Sequence, residues 1–287
     1  MPIKESELIL NPDGSVYHLN LKPNNIGSTI IFVGDPDRVT EVTKYFDSID
    51  FQTQKREFKT QTGTYKGKRI TVISTGIGVD NIDIVLNELD ALVNIDLKTR
   101  EVKAQQTSLD IIRIGTSGSL QKDIPVDSIL ISTKAADLIG LLHSYQIESI
   151  RNPEIENAFI KHTNWSAKKA TPIIINGSSS LINKYKSEHT HLGLTVTAGG
   201  FYGPQGRVLR LKLSDTNLNS QLDTFNFNGI NITNLEMETA GIYGLSKLLG
   251  HNAISLNAII ANRANTTFSK TPTQTVEKLI TYTLEKL

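Results

Sequence analysis

Six times along this chain a short run of β-branched and aliphatic residues breaks off into glycine, hydroxyl and charged side chains. Thr29–Val33 gives way to Gly34-Asp35-Pro36-Asp37-Arg38, and Ile70–Ser74 to Thr75-Gly76-Ile77-Gly78. Ile111-Ile112-Arg113-Ile114 runs into Gly115-Thr116-Ser117-Gly118, and Gly193–Thr197 into the loop 199–207. Ile232–Asn234 leads to Glu236-Met237-Glu238, and Ile254–Ala261 to Asn262-Arg263. Helical patterns lie between these runs. Ile82, Val85, Leu86, Leu89, Leu92 and Val93 share one face, as do Val276, Leu279, Ile280, Leu284 and Leu287. Strands alternating with helices predict an α/β fold with a parallel or mixed sheet covered on both faces. Ligands in such sheets bind beyond the carboxyl ends of the strands, where the six polar clusters fall.

Local signals agree with this layout. Asp35 is placed to cap a helix whose first turn holds Pro36, Gly250 to end one, and Thr271-Pro272 to start the last. Ser128–Ser132 and Pro172–Ile175 read as further strands. Residues 1–28 read as an arm lying on a surface, 95–108 as an exposed polar extension, and 137–169 as loops and short helices. No linker, repeat or low-complexity tract divides the chain, so residues 1–287 are expected to form one domain.

Composition removes several function classes. With 30 basic and 29 acidic residues the net charge is +1, too balanced for a general attraction to nucleic acid or anionic membranes. The absence of cysteine excludes disulfides, thiolate metal sites and a cysteine nucleophile. The first residues are charged at Lys4, Glu5 and Glu7, and no segment is apolar enough to span a bilayer, so a cytoplasmic protein is expected. The histidines lack metal-ligand spacing, and the phosphate-loop, dinucleotide and nucleophile-elbow motifs are absent.

The clusters carry chemistry of their own. Arg113 followed by Gly115–Gly118 reads as a strand running into an anion-binding turn, with an ordinary strand-to-turn junction as the alternative. Arg38 sits at a helix start, where its charge opposes the helix dipole and an anion would relieve it. Arg56 belongs to Lys55-Arg56-Glu57, which also suits a solvated charge run. Gln205 and Arg207 can both face one planar heterocycle beside the aromatic surface of Phe201 and Tyr202. Glu236 and Glu238 suit acceptors for a sugar diol with Met237 as an apolar floor, or simple partners of a helix N-terminus.

Taken together and in this order, these motifs resemble the hexamer-forming nucleoside phosphorylase family, most closely its uridine-cleaving members. The resemblance spans residues 17 to 263. It implies a single three-layer α/β/α domain with a central mixed sheet, assembled as a dimer or a ring of three dimers with shared active sites. It implies phosphorolysis of uridine to uracil and ribose 1-phosphate, by attack of inorganic phosphate on C1′ through an oxocarbenium-like transition state. Gly34, Arg38, Arg113 and Thr116 would hold phosphate, with Arg56 reaching in from a neighbouring subunit. Glu236, Met237 and Glu238 would hold the ribose, and His18 of the neighbour would touch its 5′-hydroxyl. Phe201, Gln205, Arg207, Ser117, Gly118 and Arg263 would form the base pocket. Catalysis would rest on Arg113, Thr116, Gln205 and Arg207. No cofactor is expected beyond phosphate as co-substrate, with a monovalent cation between subunits left open. Nucleic acid and membrane are not expected as partners.

The chain departs from the family pattern at Gly199-Gly200, where bacterial relatives usually have Ser-Asp, and at Ala264, where threonine is common. Residues 95–108 are longer than the family core, and 137–175 match none of it. A purine nucleoside phosphorylase or a water-using nucleosidase remains an alternative, although purine members carry an aspartate where this chain has Asn262-Arg263. A non-catalytic nucleoside-binding protein on the same fold is a second alternative.

Overall fold

Thr29–Val33 forms β1, an almost wholly buried strand, and Asp35 caps the helix that follows it. Structural description covers residues 2–287 of a computed structural model. The chain falls into two compact units, one running to Ile112 with Leu249–Asn252, the other Arg113–Leu248 with Ala253–Leu287.

In the first unit β1 is followed by α1 (Pro36–Thr43), β2 (Ser48–Lys55), β3 (Phe58–Tyr65), β4 (Lys68–Ser74) and α2 (Val79–Asn94). A short hairpin of β5 (Ile95–Asp96) and β6 (Glu101–Val102) completes the helix-to-strand connection. β1 pairs in parallel with β4, which pairs antiparallel with β3, and β3 with β2. The Asp35 carboxylate accepts from the Asp37 amide at 2.9 Å, so the expected cap is made. The arm packs more deeply than expected. Val16, Leu19 and Leu21 are fully buried, because the turn at Asn11–Gly14 folds the segment back on itself.

The second unit contains most of β7 (Asp110–Ser119), then β8 (Ile129–Asp137), α3 (Pro153–Thr163), β9 (Ile173–Asn176), α4 (Ser179–Tyr185) and β10 (Thr190–Thr197). It continues with α5 (Leu218–Asp223), β11 (Asn226–Phe227), β12 (Ile230–Glu236), α6 (Thr239–Leu248), β13 (Asn252–Asn262), β14 (Thr267–Phe268) and α7 (Pro272–Glu285). Its sheet is mixed: β10 is parallel to both β8 and β12, while β13 is antiparallel to β8. Besides its place beside β13, β7 pairs antiparallel with β12 at Asn234↔Ser119 and Leu235↔Gly118. The order β7-β12-β10-β8-β13 therefore closes on itself as a ring of strands. Leu194, Val196, Ile232 and Leu235 face outward into a core with Phe159 of α3 and Leu222 of α5. The alternate residues of the same strands, Thr195, Thr197, Asn234 and Glu236, face inward.

The expected turn at Gly115–Gly118 is not a turn. β7 stays extended to Ser119, since Gly118 and Ser119 pair with β12 instead of ending the strand. Thr271 and Pro272 do start α7, but no side-chain cap is made; Thr275 and Ser269 instead bond the Asp127 carboxylate. Among the described residues no helix is long and apolar enough to cross a membrane.

Candidate active site

Arg113, Gly115 and Ser117 alternate along β7 and point the same way, into the strand ring. The guanidinium of Arg113 bends back over Gly115: an ideal Cβ on residue 115 would lie 1.8 Å from Arg113 Nη1. Glycine is the residue that leaves this seat open. Nη2 donates to Glu238 Oε2 at 2.5 Å and lies 3.4 Å from Glu236 Oε2. On the other side Nη1 donates to Asn257 Oδ1 at 3.2 Å and Ser255 Oγ at 3.4 Å. Burial alone would lower the affinity of Arg113 for its proton; the Glu238 and Glu236 carboxylates outweigh it and hold the group charged, above its ordinary value.

Glu236 ends β12 and Glu238 precedes α6, so the strand-to-helix junction sets both carboxylates. Glu236 Oε2 accepts the Glu238 and Thr239 backbone amides at 2.9 Å each, and Oε1 accepts from Thr197 Oγ1 at 2.6 Å. Glu236 is thus the cap of α6, satisfied by the helix N-terminus. Glu238 is the carboxylate that directly grips Arg113. Met237 between them is half-buried.

Gln205 lies in a short 3₁₀ turn and is buried, while Phe201 and Tyr202 before it are about half exposed. Arg207 Nη1 donates to Gln205 Oε1 at 2.7 Å, and its guanidinium carbon sits 3.7 Å over the Phe201 ring. Arg263 Nη2 donates to the same Gln205 oxygen at 3.2 Å, and its Nη1 donates to the Gln205 carbonyl and to Asn219 Oδ1. With Oε1 doubly occupied, the orientation of the Gln205 amide is fixed. Burial lowers the proton affinity of both arginines; for Arg263, with Arg207 close by, it falls to about 10. Gly118 adjoins Arg263: a Cβ there would come 3.9 Å from Arg263 Nε. Ser117 Oγ accepts from Asn234 Nδ2, and Thr116 points to the opposite side of β7, half-buried. A cleft of about 750 Å³ opens beside this loop, between Trp165 and residues 209–215.

The candidates in the first unit have settings of their own. Gly34 follows β1, and a Cβ there would come 3.6 Å from the Gly76 carbonyl oxygen. Arg38 is half-buried in the first turn of α1, its amide bonded to the Asp35 carbonyl. Arg56 is exposed at the tip of the β2–β3 hairpin, in a left-handed conformation with φ of 56°. His18 Nδ1 lies 2.6 Å from Glu88 Oε1, and the same carboxylate accepts the His18 and Leu19 amides, which leaves Nε2 as the outward edge of the ring.

Asn257, Ser255 and Asn219 are the residues that sequence reasoning did not single out. The first two carried a signal: they are polar at alternate positions of the otherwise apolar β13. Asn219 lies on a six-residue helix without a periodic stripe.

The sequence pattern of the phosphorylase superfamily matches residues 28–284. The chain belongs to that superfamily. Uridine phosphorylase of Haemophilus influenzae is 29% identical over 276 residues, covering 92% of this chain and 94% of the relative. Uridine phosphorylase of Thermococcus kodakarensis is also 29% identical, over 264 residues, covering 90% of this chain and 81% of the relative. Among solved structures, a Trypanosoma brucei nucleoside phosphorylase described as showing uridine phosphorylase activity superposes with a TM-score of 0.89. It is 29% identical, with 98% of this chain and 99% of that one covered. Phosphorylase-superfamily membership thus agrees with the mixed α/β fold and with the family expected from the motifs.

Proposed function

We propose that the chain catalyses phosphorolysis of uridine, producing uracil and ribose 1-phosphate. The observation that carries this reading is the Gln205–Arg207–Arg263 cluster, an oriented amide with two guanidiniums beside an aromatic ring, in a chain similar to uridine phosphorylases. Such a cluster suits a flat base edged with carbonyl oxygens.

In this reading phosphate attacks C1′ of the ribose as the C1′–N1 bond breaks, its electron pair leaving with the pyrimidine. Arg113 binds the attacking phosphate, whose charge then offsets the positive charge building on the sugar; Thr116, on the other side of β7, is assigned to phosphate by its motif alone. Gly34 and Arg38 are assigned to phosphate by their motif alone. Glu238 accepts from the ribose hydroxyls over Met237, while Glu236 holds α6 in place. Arg207 and Gln205 face the uracil edge where negative charge develops, and Phe201 stacks on the ring. A preorganised donor at such a place typically lowers the barrier by about 2.7–4 kcal/mol. Phosphate is a co-substrate, and no resident cofactor is invoked. His18 and Arg56 are assigned to the active site of a neighbouring copy in a homo-oligomer.

A purine-cleaving reading would need an acid near Asn262. The Asn262 amide is instead spent on backbone, donating to the Gln121 and Ile124 carbonyls and accepting from the Asn265 amide. The test is uracil release from uridine with and without phosphate. Phosphate-dependent release supports phosphorolysis, phosphate-independent release means hydrolysis, and no release from any nucleoside means a binding protein.

A further inference from the structure

Each strand of the closed ring sends polar side chains inward, and one from each is bonded to the next in the order of the strands. Asn234 of β12 donates to Ser117 Oγ of β7 at 2.9 Å, and Thr195 of β10 donates to Asn234 Oδ1 at 2.7 Å. Ser132 Oγ of β8 lies 2.5 Å from Thr195 Oγ1, and Asn257 of β13 donates from Nδ2 to Ser132 Oγ at 3.2 Å and Ser255 Oγ at 3.3 Å. Asn234, Thr195, Ser132, Ser255 and Asn257 are completely buried. Tyr243 of α6 braces the same place, donating to the Ser132 carbonyl and accepting the Ser255 amide. With Nδ2 engaged twice, the Asn257 amide has one direction. Its oxygen faces Arg113, and a flipped amide would turn an NH₂ group against the guanidinium.

We propose that Asn257 is a positioning residue for phosphate, acting through Arg113. It pins Nη1 with a neutral oxygen while Glu238 holds Nη2, so the guanidinium is fixed on both sides. Neutrality matters here. Glu236 and Glu238 already set two carboxylates against one buried guanidinium, and a third would oppose an incoming phosphate dianion. A side chain of this shape with no charge holds the geometry and leaves the field favourable. The proposal rests on the reading of Arg113 as the phosphate ligand.

Asn257→Asp keeps the size of the side chain and adds the charge. Steady-state kinetics with phosphate and uridine varied separately, together with thermal melting, read the result. The expected outcome is a phosphate KM raised about 100-fold, the scale of a buried like-charge clash, with the uridine KM changed by less than about threefold; melting falls as well, because a carboxylate cannot donate the two bonds that Nδ2 makes. An unchanged phosphate KM in the folded variant overturns the proposal, as does an equal rise in both KM values. Should Asn257→Asp not fold, Ser132→Ala removes one of the two acceptors that orient the amide. It is expected to raise the phosphate KM about threefold and spare the uridine KM; no change in that split overturns the proposal. If the native protein releases no uracil at all, the functional reading falls separately. Calorimetric titration with inorganic phosphate then decides: phosphate binding weakened by Asn257→Asp supports the role of Asn257, and equal or absent binding in both proteins rejects it.

Discussion

The Arg113 guanidinium occupies the space in which a side chain on residue 115 would begin, 1.8 Å from the ideal Cβ position. The two residues stand on the same face of β7, so the Arg-Ile-Gly sequence is one structural unit. The glycine has no side chain because the arginine uses its place.

Gly115→Ala is therefore expected to push the guanidinium off its seat. The clashing atoms belong to the far end of a flexible side chain, so the fold should survive at a cost of about 1–3 kcal/mol. The phosphate KM should rise at least tenfold, by analogy with other small displacements of a catalytic group. Kinetics at saturating uridine measure it; a phosphate KM equal to that of the native protein would remove Arg113 from the phosphate site.

Glu238→Gln tests the ribose assignment. Hydrogen bonds to a charged group contribute about 1.5–3 kcal/mol, so kcat/KM for uridine should fall roughly 10- to 100-fold. Activity on 2′-deoxyuridine, which offers one hydroxyl fewer, should fall less, and the preference between the two should shrink. Equal losses on both substrates would assign Glu238 to Arg113 alone.

Gln205→Ala and Arg207→Ala address the base. Loss of Arg207 is expected to lower kcat on uridine by about 100- to 1,000-fold, the range for an oriented donor facing developing charge. Any turnover of inosine should be much less affected. Parallel losses on uridine and inosine would argue that the two residues hold the loop instead of reading the base.

Acid stability offers a test away from the site. Hydrogen bonds from the Ser269 and Thr275 hydroxyls, each 2.5 Å long, hold the Asp127 carboxyl below the usual carboxylate range. A group depressed in the folded state stabilises the protein above its unfolded value, about 3.9, and that contribution is lost as pH falls through the lower folded value. Asp127→Ala should thus destabilise the protein at neutral pH by a small, solvent-screened amount, and the gap from the native protein should narrow as pH falls below about 4. Melting curves between pH 3 and 7 check this; a gap that stays constant would leave the carboxylate charge without a role.

Much of this was legible from residues alone, and what was not has a physical reason. α2 and α7 were readable because an amphipathic stripe repeats in sequence, as from Ile82 to Leu92. β2 and β3 were not, because Ser48–Lys55 is an edge strand with little apolar face, and β3 buries threonines such as Thr60 and Thr62. The site motifs stood out as polar clusters after apolar runs. The strand ring left only isolated polar residues inside apolar strands, Ser132, Thr195, Asn234 and Asn257, which acquire meaning once the strands lie side by side. In the sequence Gly115 reads as part of an anion-binding turn, whereas its actual role depends on a side chain two residues earlier.

The stacking of Arg207 on Phe201 has one further consequence. The ring face, the Gln205 oxygen and the Arg113 guanidinium are all engaged with other side chains. A ligand bonding to these three groups would exchange partners, each new contact replacing an internal one. The site is thus self-neutralised: its guanidiniums are paired with the protein's own carboxylates and amide oxygens.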